Sequence, residues 1–329
     1  MRVGIDVSPL AQTRAGTARY LRALLRELDR RADIEVSRFG FGGDGRAATL
    51  ARELAWYPAG LPRAARRTGV DVLHCSTYRG PLGSRPPAVV TVHDLAVFRH
   101  PEAFPRWTRT YGRLVVPHMI GAARRVIAVS EFTRRELVEV LGVPEERIRV
   151  VPNAVDEEFR PDGPAAEGDY VLAVGTLEPR KNLARLGEAA RRAGLELRVV
   201  GARGWGGVSA NGSGVRWLGE LPDDELAGLY RGAQCFVYPS LYEGFGIPIL
   251  EAMACGVPVV TSAGGATEEV AGGAAVLVDP RDPAEIARGI ADAAARRDEL
   301  RRLGLERARR ADWASVAAQT IEVYRECSS

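Results

Sequence analysis

Arg2-Val-Gly-Ile-Asp-Val7 and, after a loop, Gly16-Thr-Ala-Arg-Tyr-Leu-Arg-Ala-Leu-Leu-Arg-Glu-Leu-Asp-Arg-Arg31 decide the fold. The first run is short, apolar and β-branched, as a strand covered on both faces must be. In the second, Tyr20, Leu21, Leu24, Leu25 and Leu28 recur at helical spacing and form an apolar face. A buried strand feeding an amphipathic helix is one βα unit, and repeated units build a parallel sheet. The alternation predicts further strands at 34–39, 70–75, 88–92, 125–129 and 148–151, with Ser130 as the N-cap of a helix over 131–141.

The segment 156–169, rich in Pro, Gly and acidic residues, interrupts the pattern and reads as a linker. A second βα series follows, with strands predicted at 170–174, 195–200, 214–218, 235–238, 257–261 and 275–278. Asp282, Pro283 and Glu285 supply an N-cap, a first-turn proline and a capping-box acid. An amphipathic run over 313–324 ends the series. The expected fold is α/β with two Rossmann-like domains, 1–162 and 163–312, and a C-terminal helix, 313–329, that can return to the first. A chain of 329 residues, 46% hydrophobic and 26% charged, has the material for two cores.

Composition narrows the function classes. Residues 1–162 hold 26 Arg against 19 Asp and Glu, a net +7; the remainder holds 19 basic and 23 acidic residues, a net −4. The split fits either a basic half facing an anionic acceptor or surface, or a solvated arginine-rich face. The opening residues lack the basic and apolar regions of a signal peptide, and no apolar run approaches the roughly 18 residues of a membrane span. A cytoplasmic protein is expected. Cys75, Cys235, Cys255 and Cys327 show neither metal-ligand nor redox spacing and read as reduced structural thiols.

Parallel sheets bind ligands outside the carboxyl ends of their strands, so polar and glycine residues there are the first candidates. The most informative stretch is Glu243-Gly-Phe-Gly-Ile-Pro-Ile-Leu-Glu251. Pro248 suits a first helical position, which puts Glu251 in the first turn and leaves Glu243 in the preceding loop. Gly244 and Gly246 leave backbone N–H groups open to a ligand, and two carboxylates can accept from paired hydroxyls. Recognition of a diol is the natural use; dipole stabilisation by Glu251 is the structural alternative.

Together with Gly175-Thr-Leu-Glu-Pro-Arg-Lys-Asn182, this stretch resembles the retaining family 4 glycosyltransferases of GT-B architecture, in which two Rossmann-like domains face each other across a cleft. The opening strand with Gly16, Val92-His-Asp-Leu95, Ala128-Val-Ser-Glu-Phe132, Val151-Pro-Asn-Ala-Val-Asp156 and the helix containing Trp313 extend the resemblance along nearly the whole chain. It implies that Arg180 and Lys181 hold the donor's diphosphate and Glu251 the ribose hydroxyls. Glu243 with the Phe245 and Gly246 amides would hold the donor sugar, Gly16 would contact the phosphate, and His93 would face the reacting sugar. Gly16 stands alone in Arg14-Ala-Gly-Thr-Ala-Arg19, where the family carries more glycine. No Asp-x-Asp motif with an obvious metal role is visible, so fixed cations would replace Mg²⁺ at the departing phosphate. Segments 16–20 and 175–181 look most like bacterial polysaccharide mannosyltransferases. GDP-mannose is therefore the first expectation for the donor, UDP-sugars the next, with a glycan or lipid-linked acceptor and no cofactor.

Other readings remain at this level. A nicotinamide dehydrogenase lacks its Gly-x-Gly-x-x-Gly after the first strand, and Gly201 to Gly207 has the wrong spacing. A nucleotide-sugar epimerase of the same architecture is the main alternative, and a binding-only protein the third. Nothing points to a nucleic-acid partner. His93 precedes Asp94, which could orient its ring; His74 is ambiguous, and His100 and His118 read as surface or packing residues. Over 104–116, Trp107, Tyr111, Leu114 and Val115 separate from Arg106, Arg109 and Arg113, as in a helix packed on its own sheet or one lying peripherally on an anionic inner membrane face. Lys181 is the only lysine beside 44 arginines, so its position reads as one where a guanidinium does not serve.

Overall fold

The structure is a computed structural model that describes residues 1–12, 16–43, 45–204 and 214–328. The chain forms two compact units, 1–153 with 313–329, and 154–312. The break expected between 162 and 163 falls instead after Asn153, because the segment read as a linker is packed into the second unit. Phe159 lies edge-on to Tyr230, with ring centroids 5.9 Å apart, the Ala166 N–H donates to the Gly228 carbonyl, and Arg231 donates to Pro164 and Arg160.

The first unit holds a parallel sheet of β1 (Arg2–Asp6), β2 (Glu35–Phe39), β3 (Val72–Cys75), β4 (Ala88–Val92), β5 (Arg125–Ala128) and β6 (Ile148–Val150), in the order β2-β1-β3-β4-β5-β6. The helix Gly16–Asp29 buries Tyr20, Leu21, Leu24, Leu25 and Leu28, the face that the spacing predicts. Ser130 caps Glu131–Leu141 by accepting the Thr133 N–H at 3.0 Å. The C-terminal helix, Trp313–Ser328, packs into this unit, with Trp313 and Tyr324 buried. Among the elements that escaped the sequence reading, Gly45–Ala51 runs into a π-helical stretch, Arg52–Gly60, whose proline-containing sequence has no marked amphipathic period.

The second unit holds β7 (Tyr170–Val174), β8 (Glu196–Val200), β9 (Val215–Gly219), β10 (Cys235–Tyr238), β11 (Val259–Ser262) and β12 (Val276–Val278), in the order β12-β11-β10-β7-β8-β9. Its core gathers Val171, Ala173, Leu186, Leu197, Val237, Val260 and Ile286 between sheet and helices. β7 and β10 are neighbours whose connections leave in opposite directions, so their carboxyl ends flank a topological switch point. The loops after β7 and β8 meet there backbone to backbone: a Cβ on Gly201 would stand 2.1 Å from the Gly175 carbonyl oxygen. Two local details depart from expectation. Asp282 caps its helix through the Ala284 N–H, but Glu285 reaches back to the Asp279 N–H rather than closing a capping box. The helix after the Glu243 loop starts at Ile247 rather than at Pro248, so Glu251 lies just beyond the first turn. Part of the 201–207 glycine stretch falls outside the described residues.

Candidate active site

The constellation at the β7/β10 switch point starts from two short motifs. After β7, Pro179–Lys181 forms a single 3₁₀ turn, favoured by proline at its start and closed by Asn182 at φ 61°. Asparagine tolerates this left-handed conformation better than most residues. Its amide nitrogen donates to the Pro239 and Pro280 carbonyls at 3.0 and 2.6 Å, fastening the turn to the loops after β10 and β12. Arg180 and Lys181 therefore project from a pinned turn. On the other side, Gly246 at φ 108° precedes the helix Ile247–Ala254 and lets the Glu243–Gly246 loop turn back on itself.

The two motifs meet through charge. Lys181 Nζ donates to Glu243 Oε1 at 2.7 Å and to the Tyr238 hydroxyl at 2.6 Å, and lies 4.8 Å from the Tyr238 ring centroid. Arg180 donates to Glu243 Oε2 and the Tyr242 carbonyl at 2.9 and 3.2 Å, and its other terminal nitrogen pairs with Glu178 at 2.8 Å. Burial would raise the Glu243 pKa, but the Lys181 and Arg180 charges outweigh it and hold the carboxyl at about 2. Glu178 shows the reverse balance: burial raises its pKa, helped by the Glu243 charge and opposed by Arg180 and Lys181. A bridging carboxylate thus sits between two fixed cations at the carboxyl edge of the sheet, where an anionic ligand group can exchange for it.

Of the residues singled out in sequence, Arg180, Lys181 and Glu243 are in direct contact. Phe245 and Gly246 follow Glu243 in the same loop, and Phe245 is buried. Glu251 is only 1% exposed, and its Oε2 accepts the Tyr230 hydroxyl at 2.9 Å. Gly16 opens its helix with nothing within 4 Å of where a Cβ would stand, whereas residues 13–15 of that loop lie outside the described ones. Glu178 and Tyr238 were not singled out. Glu178 lay inside the quoted motif, but only the fold shows which cation it pairs with.

In the first unit, His93 follows β4. Its Nε2 lies 2.9 Å from the Ser76 carbonyl, which can only accept, so the proton is on Nε2 and the neutral ring keeps Nδ1 as an acceptor. Burial lowers its pKa against the Ser76 contact and the Asp94 charge. Asp94 does not orient the ring as expected: its Oδ1 accepts the Ala96 N–H at 3.0 Å, and Tyr20 packs edge-on to the imidazole at 4.9 Å. His74 is a satisfied core residue, with Nδ1 at 2.6 Å from the Tyr324 hydroxyl and Nε2 at 2.8 Å from Thr91 Oγ1. The four cysteines are buried and unpaired.

A Rossmann-like sheet with paired cations and a carboxylate at its switch point is a site where an anionic group can bind, and comparison with known proteins gives the class. Residues 14–159 match the family described as Glycosyltransferase Family 4, and residues 155–310 the one described as Glycosyl transferases group 1. The O-antigen chain mannosyltransferase B of Escherichia coli is 35% identical over 267 residues, 72% of this chain and 70% of the relative. The MMP alpha-(1->4)-mannosyltransferase of Mycolicibacterium hassiacum is 32% identical over 306 residues, 80% of this chain and 72% of the relative. Among solved structures, sucrose-phosphate synthase from Thermosynechococcus elongatus shares the fold with a TM-score of 0.80 at 22% identity, over 99% of this chain and 98% of that one. Anabaena HepE in complex with UDP-glucose does so with a TM-score of 0.72 at 19% identity, over 99% and 100%. The protein is a glycosyltransferase of GT-B fold. The chain belongs to glycosyltransferase family 4, which favours transfer over the epimerase alternative.

Proposed function

We propose that the chain transfers a sugar, with mannose the first candidate, from a nucleotide diphosphate donor to a glycan or lipid-linked acceptor, with retention of configuration and without a metal ion. The observation that carries the reading is the Arg180–Lys181–Glu243 constellation at the switch point. Glycosyl transfer develops negative charge on the departing phosphate, and two cations already fixed in place lower its barrier without reorganising. Arg180 and Lys181 take the diphosphate. Glu243, released from them, accepts hydroxyls of the sugar alongside the Phe245 and Gly246 amides. Glu251 takes the ribose hydroxyls, Gly16 offers its amide to phosphate, and His93 accepts a sugar hydroxyl through Nδ1. The mannosyltransferase relatives support mannose as the sugar, and GDP-mannose is the donor proposed with it.

A peripheral contact with an anionic membrane belongs to the same reading. On the helix Arg106–Ala122, Trp107 and Leu114 are 55% and 64% exposed beside Arg106 and Arg113, whereas Val116, Met119 and Ile120 are buried. No helix among the described residues is long and apolar enough to cross a membrane. The test is transfer from GDP-mannose and a panel of UDP-sugars in excess EDTA, with the product's anomeric configuration read by NMR. Retained activity and retained configuration are expected. Inversion, or loss of rate on chelation, refutes the corresponding half.

A further inference from the structure

Two residues of the β7/β10 constellation, Glu178 and Tyr238, have no part in the transfer proposed above. The charges there are arranged so that one carboxylate is shared. Glu243 accepts from Arg180 and Lys181 at 2.9 and 2.7 Å, and each cation has a second partner of its own: Glu178 for Arg180 at 2.8 Å and the Tyr238 hydroxyl for Lys181 at 2.6 Å. An ammonium carries three donors. Among the described residues Glu243 and Tyr238 take two of them, so the third is left for a ligand.

The two partners of Lys181 differ in how firmly they are held. Glu243 lies in a glycine-flanked loop, whereas Tyr238 ends β10, a strand paired on both sides, with β7 and with β11. The Tyr238 carbonyl accepts the Thr261 hydroxyl at 2.9 Å, and its ring stacks on Phe236 with centroids 5.6 Å apart. On another side a Cβ placed on Gly246 would stand 3.6 Å from that ring. The hydroxyl is therefore a fixed point of the sheet edge. The partners differ in charge as well. Burial, and after it the Glu243 charge, pushes the phenol well above its ordinary range, so the hydroxyl stays neutral. The formal charges of Arg180 and Lys181 are already matched by those of Glu178 and Glu243. A further carboxylate in place of the phenol would make the site net negative and repel a diphosphate. A neutral acceptor aims the ammonium without cancelling its charge.

We propose that Tyr238 is the positioning residue of Lys181, holding the ammonium at the sheet edge while a diphosphate takes the place of Glu243. This role rests on the proposed donor site and adds to it the means by which the cation stays in place during the exchange. A lysine ammonium sits on a flexible stem of four carbons. With Glu243 withdrawn and no hydroxyl beside it, the stem would be ordered only by the ligand, which weakens binding. With the Tyr238 hydroxyl present, the stem is ordered before the ligand arrives, and the third donor already points away from both protein partners.

Tyr238→Phe keeps the ring on Phe236 and removes only the hydroxyl. Because Lys181 is the only lysine in the chain, ¹³C-labelled lysine gives a single side-chain Cε signal in NMR. Its two protons have distinct shifts when the ammonium is held and converge when it moves freely. Calorimetry with GDP and with UDP measures affinity for the nucleotide diphosphate, and Tm reports folding. Expected are two resolved proton shifts in the wild type and their convergence in Tyr238→Phe. The variant should also bind the preferred nucleotide roughly tenfold more weakly, with no further loss when Tyr238→Phe is added to Lys181→Ala. A purely structural role gives the opposite pattern: lower Tm, an unchanged Lys181 signal, and losses that add to those of Lys181→Ala. An unchanged signal or additive losses overturn the inference. Convergence of the shifts in a chain that binds neither nucleotide supports anchoring by Tyr238 and refutes the donor reading instead.

Discussion

Replacing Lys181 by arginine keeps the charge and changes the shape. The ammonium fits between Glu243 Oε1 and the Tyr238 hydroxyl at 2.7 and 2.6 Å, with its stem against Gly175, where a Cβ would meet Lys181 Cε at 3.0 Å. The void beside it, lined by Ala173, Gly175, Leu183, Val237 and Tyr238, measures only ≈ 10 Å³, about one water molecule's worth of free volume. A planar fork cannot occupy that space and keep both contacts. It must push on Gly175 and Tyr238, which costs about 1–3 kcal/mol, or swing away from the phosphate position. Removing a fixed donor at a developing anion costs about 2.7–4 kcal/mol, and the retained charge returns part of that. The expected loss in kcat/KM is therefore roughly ten- to a thousandfold, about 1.4–4 kcal/mol of transition-state stabilisation. Steady-state kinetics with the nucleotide sugar, beside a thermal melt, measures both consequences. Wild-type kcat/KM would show that only charge matters at position 181 and that the solitary lysine is an accident of composition.

Three further outcomes follow from the geometry. Because Glu243 is held at about 2 against an ordinary 4.5, the stability it contributes is complete above pH 4.5 and is lost as pH falls towards 2; urea midpoints of wild type and Glu243→Gln should converge over that window, and parallel curves would refute the ion-pair assignment. His74, lowered to about 3 by burial, should stay neutral, so its imidazole resonances hold steady from pH 8 to 5 while stability falls below pH 6.5 by up to about 1.4 kcal/mol per unit; a midpoint near 6.5 would mean that the Tyr324–His74–Thr91 contacts do not persist in solution. On the proposed donor assignment, Glu251→Gln should weaken binding of free nucleotide diphosphate more than Glu243→Gln does, while the latter lowers turnover more; equal calorimetric losses would overturn the division between ribose and sugar.

Much of this chain was legible before folding, and for a physical reason. Each strand buried on both faces needs a short apolar run, and each helix on a sheet needs a stripe at 3.6 spacing, so all twelve expected strands coincide with β1 to β12 within about two residues at each end. The Arg180–Lys181 and Glu243 motifs were legible because each lies in one short contiguous stretch just after a strand, and those stretches resemble the family 4 glycosyltransferases. Contacts between distant segments carry no local pattern. That Arg180 is held by Glu178 and Glu243 together, that His93 is oriented by Ser76 rather than its neighbour Asp94, and that Glu251 is buried against Tyr230 all depend on which loops the sheet order brings side by side. The π-helical stretch and the buried polar cluster around Asp6 were hidden for the same reason. Whether a polar atom has a partner is decided by tertiary packing, and sequence spacing records only what lies within a turn or a strand.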